Sequence, residues 1–243
     1  MDNQYTQEYT VLPSVCDSAA LLSVPDTFAL FMDLAAIHAE LLRFDTPTLM
    51  KQGLFWLTVR TRIRFRRRPR MAERVTLVTW PEQPGKLRTD RDYVVEQNGE
   101  RLIEGKTEWT IWEMETGKMH PMAGIFPPDF VFYPDAVWTE PFTRAKDEPL
   151  DEFARYTVRS TDIDLGGHMN NAAYVRAIAG AFSREAWQGM DIREMEIAFR
   201  APCYEGDTLV LQKRDEGDAL SLRAALPDGK TIVLAKIIKN PKP

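Results

Sequence analysis

Residues 63–77 read IRFRRRPRMAERVTL, and residues 197–211 read IAFRAPCYEGDTLVL. The two stretches align without gaps. Ile63 falls on Ile197, Phe65 on Phe199, Arg66 on Arg200, Glu73 on Asp207, Val75 on Leu209 and Leu77 on Leu211. Apolar residues alternate at both ends of each copy, so each reads as a strand, a turn and a second strand. The repeat makes the chain a tandem of two similar halves.

Upstream of each copy lies a helical pattern. In VPDTFALFMDLAAIHAELLRF, Phe28, Phe31, Ala35, His38 and Leu42 recur at helical spacing, and Pro25 and Asp26 suit a first turn. In NNAAYVRAIAGAFSREAW, Tyr174, Ile178, Ala181 and Phe182 share a face, with Asn170 or Asn171 as the natural cap. Downstream, LRTDRDYVVEQ and LIEGKTEWTIWEM flank Asn98-Gly99, a strong hairpin signal. In the second half LSLRAAL and TIVLAKI flank Pro227-Asp228-Gly229. Each half is therefore expected to hold one long helix followed by about four antiparallel strands, with room for a short strand before the helix. This is an α+β fold in which a curled antiparallel sheet wraps the apolar stripe of a helix.

The segment between the halves carries prolines at 121, 127, 128, 134, 141 and 149, which exclude a central strand or a long helix. It also carries Phe126, Phe130, Phe132, Tyr133, Trp138 and Phe142, too many aromatics for a loose tether. We expect domains over residues 1–122 and 150–243, joined by an ordered strap over 123–149.

Composition narrows the function. The chain has 243 residues, 44% hydrophobic and 28% charged, with a net charge of −5, which argues against a general nucleic-acid binder. No apolar run approaches the roughly 18 residues of a membrane span. The start, MDNQYTQEYT, has no apolar signal region, and the cysteines, Cys16 and Cys203, are far apart. A reduced cytoplasmic protein is the expectation. The histidines form no Cys/His cluster, so no metal site is expected, and nothing implies a redox cofactor.

The chemistry concentrates in STDIDLGGHMNNAAYVRA, residues 160–177. If the second helix begins near Asn170, the loop from Asp164 to Met169 feeds its N-terminus, where unpaired N–H groups carry partial positive charge. Such a site polarises a carbonyl or holds an oxyanion. Gly166 and Gly167 allow close approach to the backbone. Asp164 and His168 are four residues apart in a compact loop, and a carboxylate with an imidazole can activate and orient water. A capped helix preceded by an ordinary loop is the plainer reading of the same residues.

DIDLGGHMNNAAY resembles the D-x-D-x-N-x-H-x-N-N-x-x-Y signature of the acyl-acyl carrier protein thioesterases. ERVTLVTWPEQPGKLRTDRDY and GKTEWTIWEMETGKMHP resemble successive strands of the same family, in the right order. The resemblance covers nearly the whole chain. It implies two tandem hot-dog domains, their sheets paired edge to edge, and release of fatty acids from acyl carrier protein. It implies Asp164 and His168 as catalytic residues, with Gly166, Gly167, Asn170 and Asn171 forming the supporting loop. It further implies that the first domain lines the acyl pocket, with Phe28, Phe31, Trp56 and Trp109 as candidates. Gly166 stands where the family has an asparagine, and Pro202 where it has a glutamate; Cys203 keeps the family's cysteine. Cys203 and Glu205 are near-site candidates, although a buried, inert thiol is the commoner state of a free cysteine. The first half has LLSVPDTF where the second has its Asp/His loop, so one active site per chain is expected. An acyl-CoA thioesterase and a non-catalytic acyl-carrier or lipid-binding protein are the alternatives. A double hot-dog enoyl hydratase is disfavoured because no Asn-Pro precedes His168.

VRTRIRFRRRPRMAER holds eight arginines. On a strand, Arg60, Arg62, Arg64 and Arg66 point to one side, away from the helix. They read either as a face paired with nearby glutamates or as a landing site for an acidic acyl carrier protein. The chain is expected to be a monomer or a homodimer.

Overall fold

A computed structural model describes residues 3–241. The first half runs β1 (Tyr5–Thr10), α1 (Val24–Leu41), α2 (Thr46–Met50), β2 (Leu54–Phe65), β3 (Arg74–Pro81), β4 (Arg88–Gln97), β5 (Glu100–Glu113) and β6 (Lys118–His120). The second runs β7 (Asp151–Thr157), α3 (Asn171–Gly180), α4 (Arg184–Gln188), β8 (Ile192–Phe199), β9 (Thr208–Asp215), β10 (Ala219–Ala225) and β11 (Thr231–Lys239). Among the described residues all eleven strands belong to one sheet, in the order β1-β3-β4-β5-β2-β8-β11-β10-β9-β7, with β6 on β5. The halves meet edge to edge, where β2 pairs antiparallel with β8 from Arg60↔Ala198 to Arg64↔Glu194.

Alternation decides which residues face the helices. On β4 and β5, Tyr93 and Gly105 face inward. Phe31 of α1 lies flat on Tyr93, with ring centroids 4.5 Å apart. A Cβ on Gly105 would come within 2.1 Å of the Phe31 ring, so only glycine leaves room for the stack. Asn98 and Gly99, at φ 53° and 78°, make the tight turn the sequence announces, closing Gln97 on Glu100. α3 packs beside α1, and Arg176 of α3 reaches Asp26 of α1 at 3.2 Å.

Two details depart from expectation. The second helix is not one long rod: α3 ends at Gly180 and α4 restarts at Arg184. Ser183 causes the restart, because its side chain accepts from Ala186 N and caps a new helix. The strands of the repeat are also not neighbours. β5 and β4 lie between β2 and β3, and β11 and β10 lie between β8 and β9. The turn between them is therefore a crossover connection, not a hairpin.

The strap is ordered on the outer face of the sheet. Trp80 Nε1 donates to Asp135 O at 2.8 Å, Val137 N to Asp92 Oδ2 at 3.1 Å, and Lys106 Nζ to Trp138 O at 2.8 Å. Further on, Thr143 N donates to Glu196 Oε2 at 3.2 Å, and Asp147 pairs with Arg223 at 3.1 Å. The strap thus fastens first to strands of the first half and then to strands of the second.

Candidate active site

The loop before α3 is built by its own side chains. Asp164 Oδ1 accepts from Gly166 N at 2.8 Å, and Asp164 O accepts from Gly167 N at 3.0 Å. Gly167 sits at φ 75°, a conformation that suits glycine. Asp164 N donates back to His168 O at 2.9 Å, closing the loop. Met169 N then donates to Cys203 O at 2.9 Å, and Asn170 N to Asp162 O at 2.8 Å, which fixes the loop to the second half. Asn170 caps α3, its Oδ1 accepting from Ala172 N at 2.8 Å. Among the described residues the N–H groups of Leu165, His168 and Asn171 have no hydrogen-bond partner. Donors of this kind at a helix start suit a developing oxyanion.

This loop borders a cavity of about 1090 Å³. Asp164, Gly166, His168, Asn170 and Asn171 all line it. Asp164 is exposed at the rim and His168 is half-buried, its ring edge-on to Tyr204 at 5.1 Å. Asp164 and His168 form no ion pair with each other; each addresses the cavity separately. The interior wall is largely apolar, with Met32, Ala35, Ala39, Phe44, Trp56 and Trp109 contributing. Trp56 and Trp109 meet edge-on at 6.1 Å, and Trp56 Nε1 donates to Phe44 O at 2.8 Å. Phe126 of the strap packs on Phe44 at 4.8 Å and closes one side.

Other candidates lie elsewhere. Phe28 and Phe31 do not line the cavity; both are buried in the core, because their face of α1 points into the sheet. Gly167 turns away from the cavity, and Glu205 is exposed outside it. Cys203 is fully buried behind the loop. Burial, and then the neighbouring Asp207 carboxylate 3.4 Å from Sγ, push its thiol up to about 12. A thiol so placed stays protonated at neutral pH and is no nucleophile.

The arginine ladder is ion-paired along its length. Arg60 pairs with Glu108 at 2.9 Å, Arg62 with Glu194 at 2.8 Å, Arg64 with Glu194 at 3.1 Å and Arg66 with Glu104 at 3.1 Å. The strap covers it, with Trp138 over Arg62 and Arg64 and Phe142 over Arg60. The paired-face reading of the sequence is the one the geometry supports.

Sequence reasoning missed several lining residues. Phe55 stands against Gly166: a Cβ there would come within 2.9 Å of Phe55 Cζ. The aromatic ring thus occupies the space an asparagine would need. Tyr174 lines the cavity at the last position of the quoted signature, and burial raises its phenol above the usual range. Tyr204 and Arg200 border the mouth, and Arg91 is buried in the wall. Arg91 lay in the quoted Arg-Asp segment, with no periodicity to point it inward.

Two helices held by one curled, continuous sheet, with a polar loop opening on a deep apolar cavity, define a tandem hot-dog protein. Residues 2–126 match the acyl-ACP thioesterase N-terminal domain, and residues 145–238 match the acyl-ACP thioesterase C-terminal domain. The chain belongs to the acyl-ACP thioesterase family. It is 20% identical over 224 residues to the chloroplastic oleoyl-acyl carrier protein thioesterase 1 of Arabidopsis thaliana, covering 84% of this chain and 62% of that one. It is 27% identical over 175 residues to the chloroplastic palmitoyl-acyl carrier protein thioesterase of the same plant, covering 68% of this chain and 42% of that one. The chain thus spans about half the length of the curated relatives it matches. An acyl-ACP thioesterase from Bacteroides thetaiotaomicron shares its fold at a TM-score of 0.89 and 23% identity, over 98% of both chains. The 12:0-ACP thioesterase from Umbellularia californica does so at 0.82 and 18% identity, over 100% of this chain and 99% of that one.

Proposed function

We propose that the protein hydrolyses fatty acyl thioesters of acyl carrier protein, releasing free fatty acid in fatty acid synthesis. One observation carries this reading: Asp164 and His168, on the loop that caps α3, both line a mostly apolar cavity of about 1090 Å³. The first domain, residues 1–122, supplies most of the acyl wall, and the second, residues 150–243, supplies the loop.

In this reading the thioester carbonyl lies against the N–H groups at the start of α3. Asp164 takes a proton from water, the water oxygen attacks the carbonyl carbon, and the oxyanion is held by those N–H groups. When the tetrahedral species collapses, the C–S bond breaks and His168 gives a proton to the departing thiolate. No step uses Cys203, a metal or a redox cofactor. The ladder of Arg60, Arg62, Arg64 and Arg66 spends its charge on Glu108, Glu194 and Glu104 under the strap and not on a carrier. Arg200, exposed at the cavity's rim, is a cation that an acidic carrier can reach. The two cysteines, both free, support a reducing cytoplasmic setting.

A panel of acyl thioesters on carrier protein and on coenzyme A tests the reading, using wild type, Asp164→Asn and His168→Ala. Turnover by wild type alone supports it. A second reading rests on Phe55, which fills the space where the family's asparagine would stand. Binding of the same thioesters without turnover would make the protein a non-catalytic acyl binder.

A further inference from the structure

The first half carries a near-copy of the loop that serves the cavity. Asp17 N donates to Leu21 O at 2.8 Å and Ala20 N to Asp17 O at 3.0 Å, as Asp164 N does to His168 O and Gly167 N to Asp164 O. Asp17 Oδ1 accepts from Ala19 N at 2.9 Å, as Asp164 Oδ1 does from Gly166 N. Ala20, at φ 57°, adopts the left-handed backbone of Gly167. Leu22 N donates to Pro69 O as Met169 N does to Cys203 O. This copy borders a pocket of about 250 Å³ at the far end of β2, by Phe65, about 33 Å along the strand from Phe55. The two linings match position for position. Leu21 stands for His168, Val24 for Asn171, Phe65 for Phe199 and Arg66 for Arg200. Where the catalytic mouth then has the neutral Ala201, Pro202 and Tyr204, this one has Arg67, Arg68 and Arg70. No deep chamber opens behind it. Ala35 lines the acyl cavity in α1; Phe182, at the same distance from its helix cap, packs on Phe153 at 4.8 Å and on Trp187 at 5.7 Å.

We propose that this pocket is a second, non-catalytic site that binds the phosphate of a small phosphorylated ligand. Leu21 in place of the imidazole removes the acid–base group, and the small volume excludes an acyl tail. The arginines are not fully used by the protein itself. A guanidinium has five N–H donors. Arg68 uses only Nη1, on Asp17 at 2.5 Å and on Leu22 O at 3.3 Å. Arg67 uses Nη1 on Glu73 and Nη2 on Gln97, which leaves its Nε. Arg70 is exposed and pairs with no carboxylate among the described residues. Forked donors on neighbouring guanidiniums match the several oxygens of a phosphate. Asp191 is the one acid in the lining and opposes an anion there. Trp187, half-buried in the same lining, offers a face on which a nucleotide's base can stack.

Calorimetry at fixed ionic strength with inorganic phosphate, pyrophosphate and adenosine 3′,5′-bisphosphate tests the site, on wild type, Arg70→Gln, Asp191→Asn and Asp164→Asn. Wild type should saturate with a Kd below about 1 mM. Arg70→Gln should weaken binding roughly 10-fold, the loss of one charge-assisted contact. Asp191→Asn should tighten it about threefold, and Asp164→Asn should leave it unchanged. Tighter binding of the bisphosphate, with a tryptophan fluorescence change that Trp187→Phe removes, assigns the site to a nucleotide; equal binding of all three probes assigns it to phosphate itself. Saturation by none of the probes, an affinity that Arg70→Gln leaves unmoved, or the same response to chloride overturns the proposal. Loss of binding in Asp164→Asn would put the anion at the catalytic mouth and overturns it too. If Arg70→Gln does not fold, Asp191→Asn decides, and an unchanged affinity there sinks the site. No readout here needs thioester turnover, so failure of the thioesterase reading leaves the test intact.

Discussion

The two halves begin their central helices differently. In α1, Ser23 Oγ accepts from Asp26 N at 3.0 Å and donates to Asp26 Oδ2 at 2.5 Å, and Arg176 closes on the same carboxylate. Pro25 removes one N–H, and Ser23, Val24 and Pro25 are buried. The positive end of this helix is thus met by the protein's own acid. In α3, Asn170 caps Ala172 N, no acid lies in the first turn, and Asn171, whose N–H has no hydrogen-bond partner among the described residues, lines the cavity. One copy of the element is completed internally. The other keeps donors available for a ligand's oxygen, and that is the copy with Asp164 and His168 in front of it.

The largest test of this contrast exchanges function for stability between the two ends. Asp164→Asn or His168→Ala should lower kcat/KM by roughly 10²–10⁴, the worth of a positioned acid or base, with Tm nearly unchanged. Asp26→Asn should leave kcat/KM alone and cost about 1 kcal/mol, a few degrees in Tm. Kinetics and melting curves on the same preparations check both. A loss of turnover in Asp26→Asn without a fall in Tm would erase the distinction.

A comparable effect, on stability alone, is expected where the halves join. Arg62 of β2 lies 2.8 Å from Glu194 and 3.8 Å from Glu196 of β8, under Trp138. Arg62→Glu would set three carboxylates together beneath the strap and should cost about 3–5 kcal/mol. Thermal melts should show the loss, while any surviving folded enzyme keeps the wild-type KM for carrier-bound substrate. A raised KM at unchanged Tm would restore the ladder as a docking surface.

Next comes the position where this chain departs from its family. Gly166→Asn places a Cβ within 2.9 Å of Phe55 Cζ, so the loop or the ring must move. Turnover should fall roughly 10-fold, since misplacing a catalytic group by about an ångström costs that or more. Phe55→Ala should be nearly silent alone and should restore Gly166→Asn. Non-additivity in this double-mutant cycle is the readout, because only touching residues couple strongly.

What the sequence made legible follows from which forces are local. Strand alternation, the Asn98-Gly99 turn and the Asn170 cap are set by neighbours in the chain, and all were readable. So was the repeat, which records the pairing of like halves. The interruption at Ser183 was not, because NNAAYVRAIAGAFSREAW keeps a helical apolar stripe across the break. The burial of Phe28 and Phe31 outside the cavity depended on rotation of α1 against the sheet, which spacing does not fix. Phe55 meets Gly166, and His38 meets Arg91, only through tertiary packing across more than 50 positions each. The charge of VRTRIRFRRRPRMAER was visible, but the pairing of Arg60, Arg62, Arg64 and Arg66 with Glu104, Glu108 and Glu194 was a matter of register.

The last test is a pH dependence that belongs to the first half. Asp92 is buried under the strap, beside Glu82 and Lys106, and accepts from Val137 N. Burial, then the Glu82 carboxylate, push its carboxyl from the ordinary 3.8 up to about 8, with Lys106 opposing. Between those values the folded protein holds a proton that the unfolded chain has lost. Stability should therefore fall as pH rises from about 4 to about 8 and level off above, all else equal. Asp92→Asn keeps an acceptor for Val137 N and removes the titrating group, so its Tm should decline less over that range. The variant should gain on wild type at pH 9 and match it near pH 4. Parallel Tm–pH curves for the two proteins would mean that Lys106 keeps Asp92 ionised throughout, and that the strap is held by a salt bridge and not by a neutral acid.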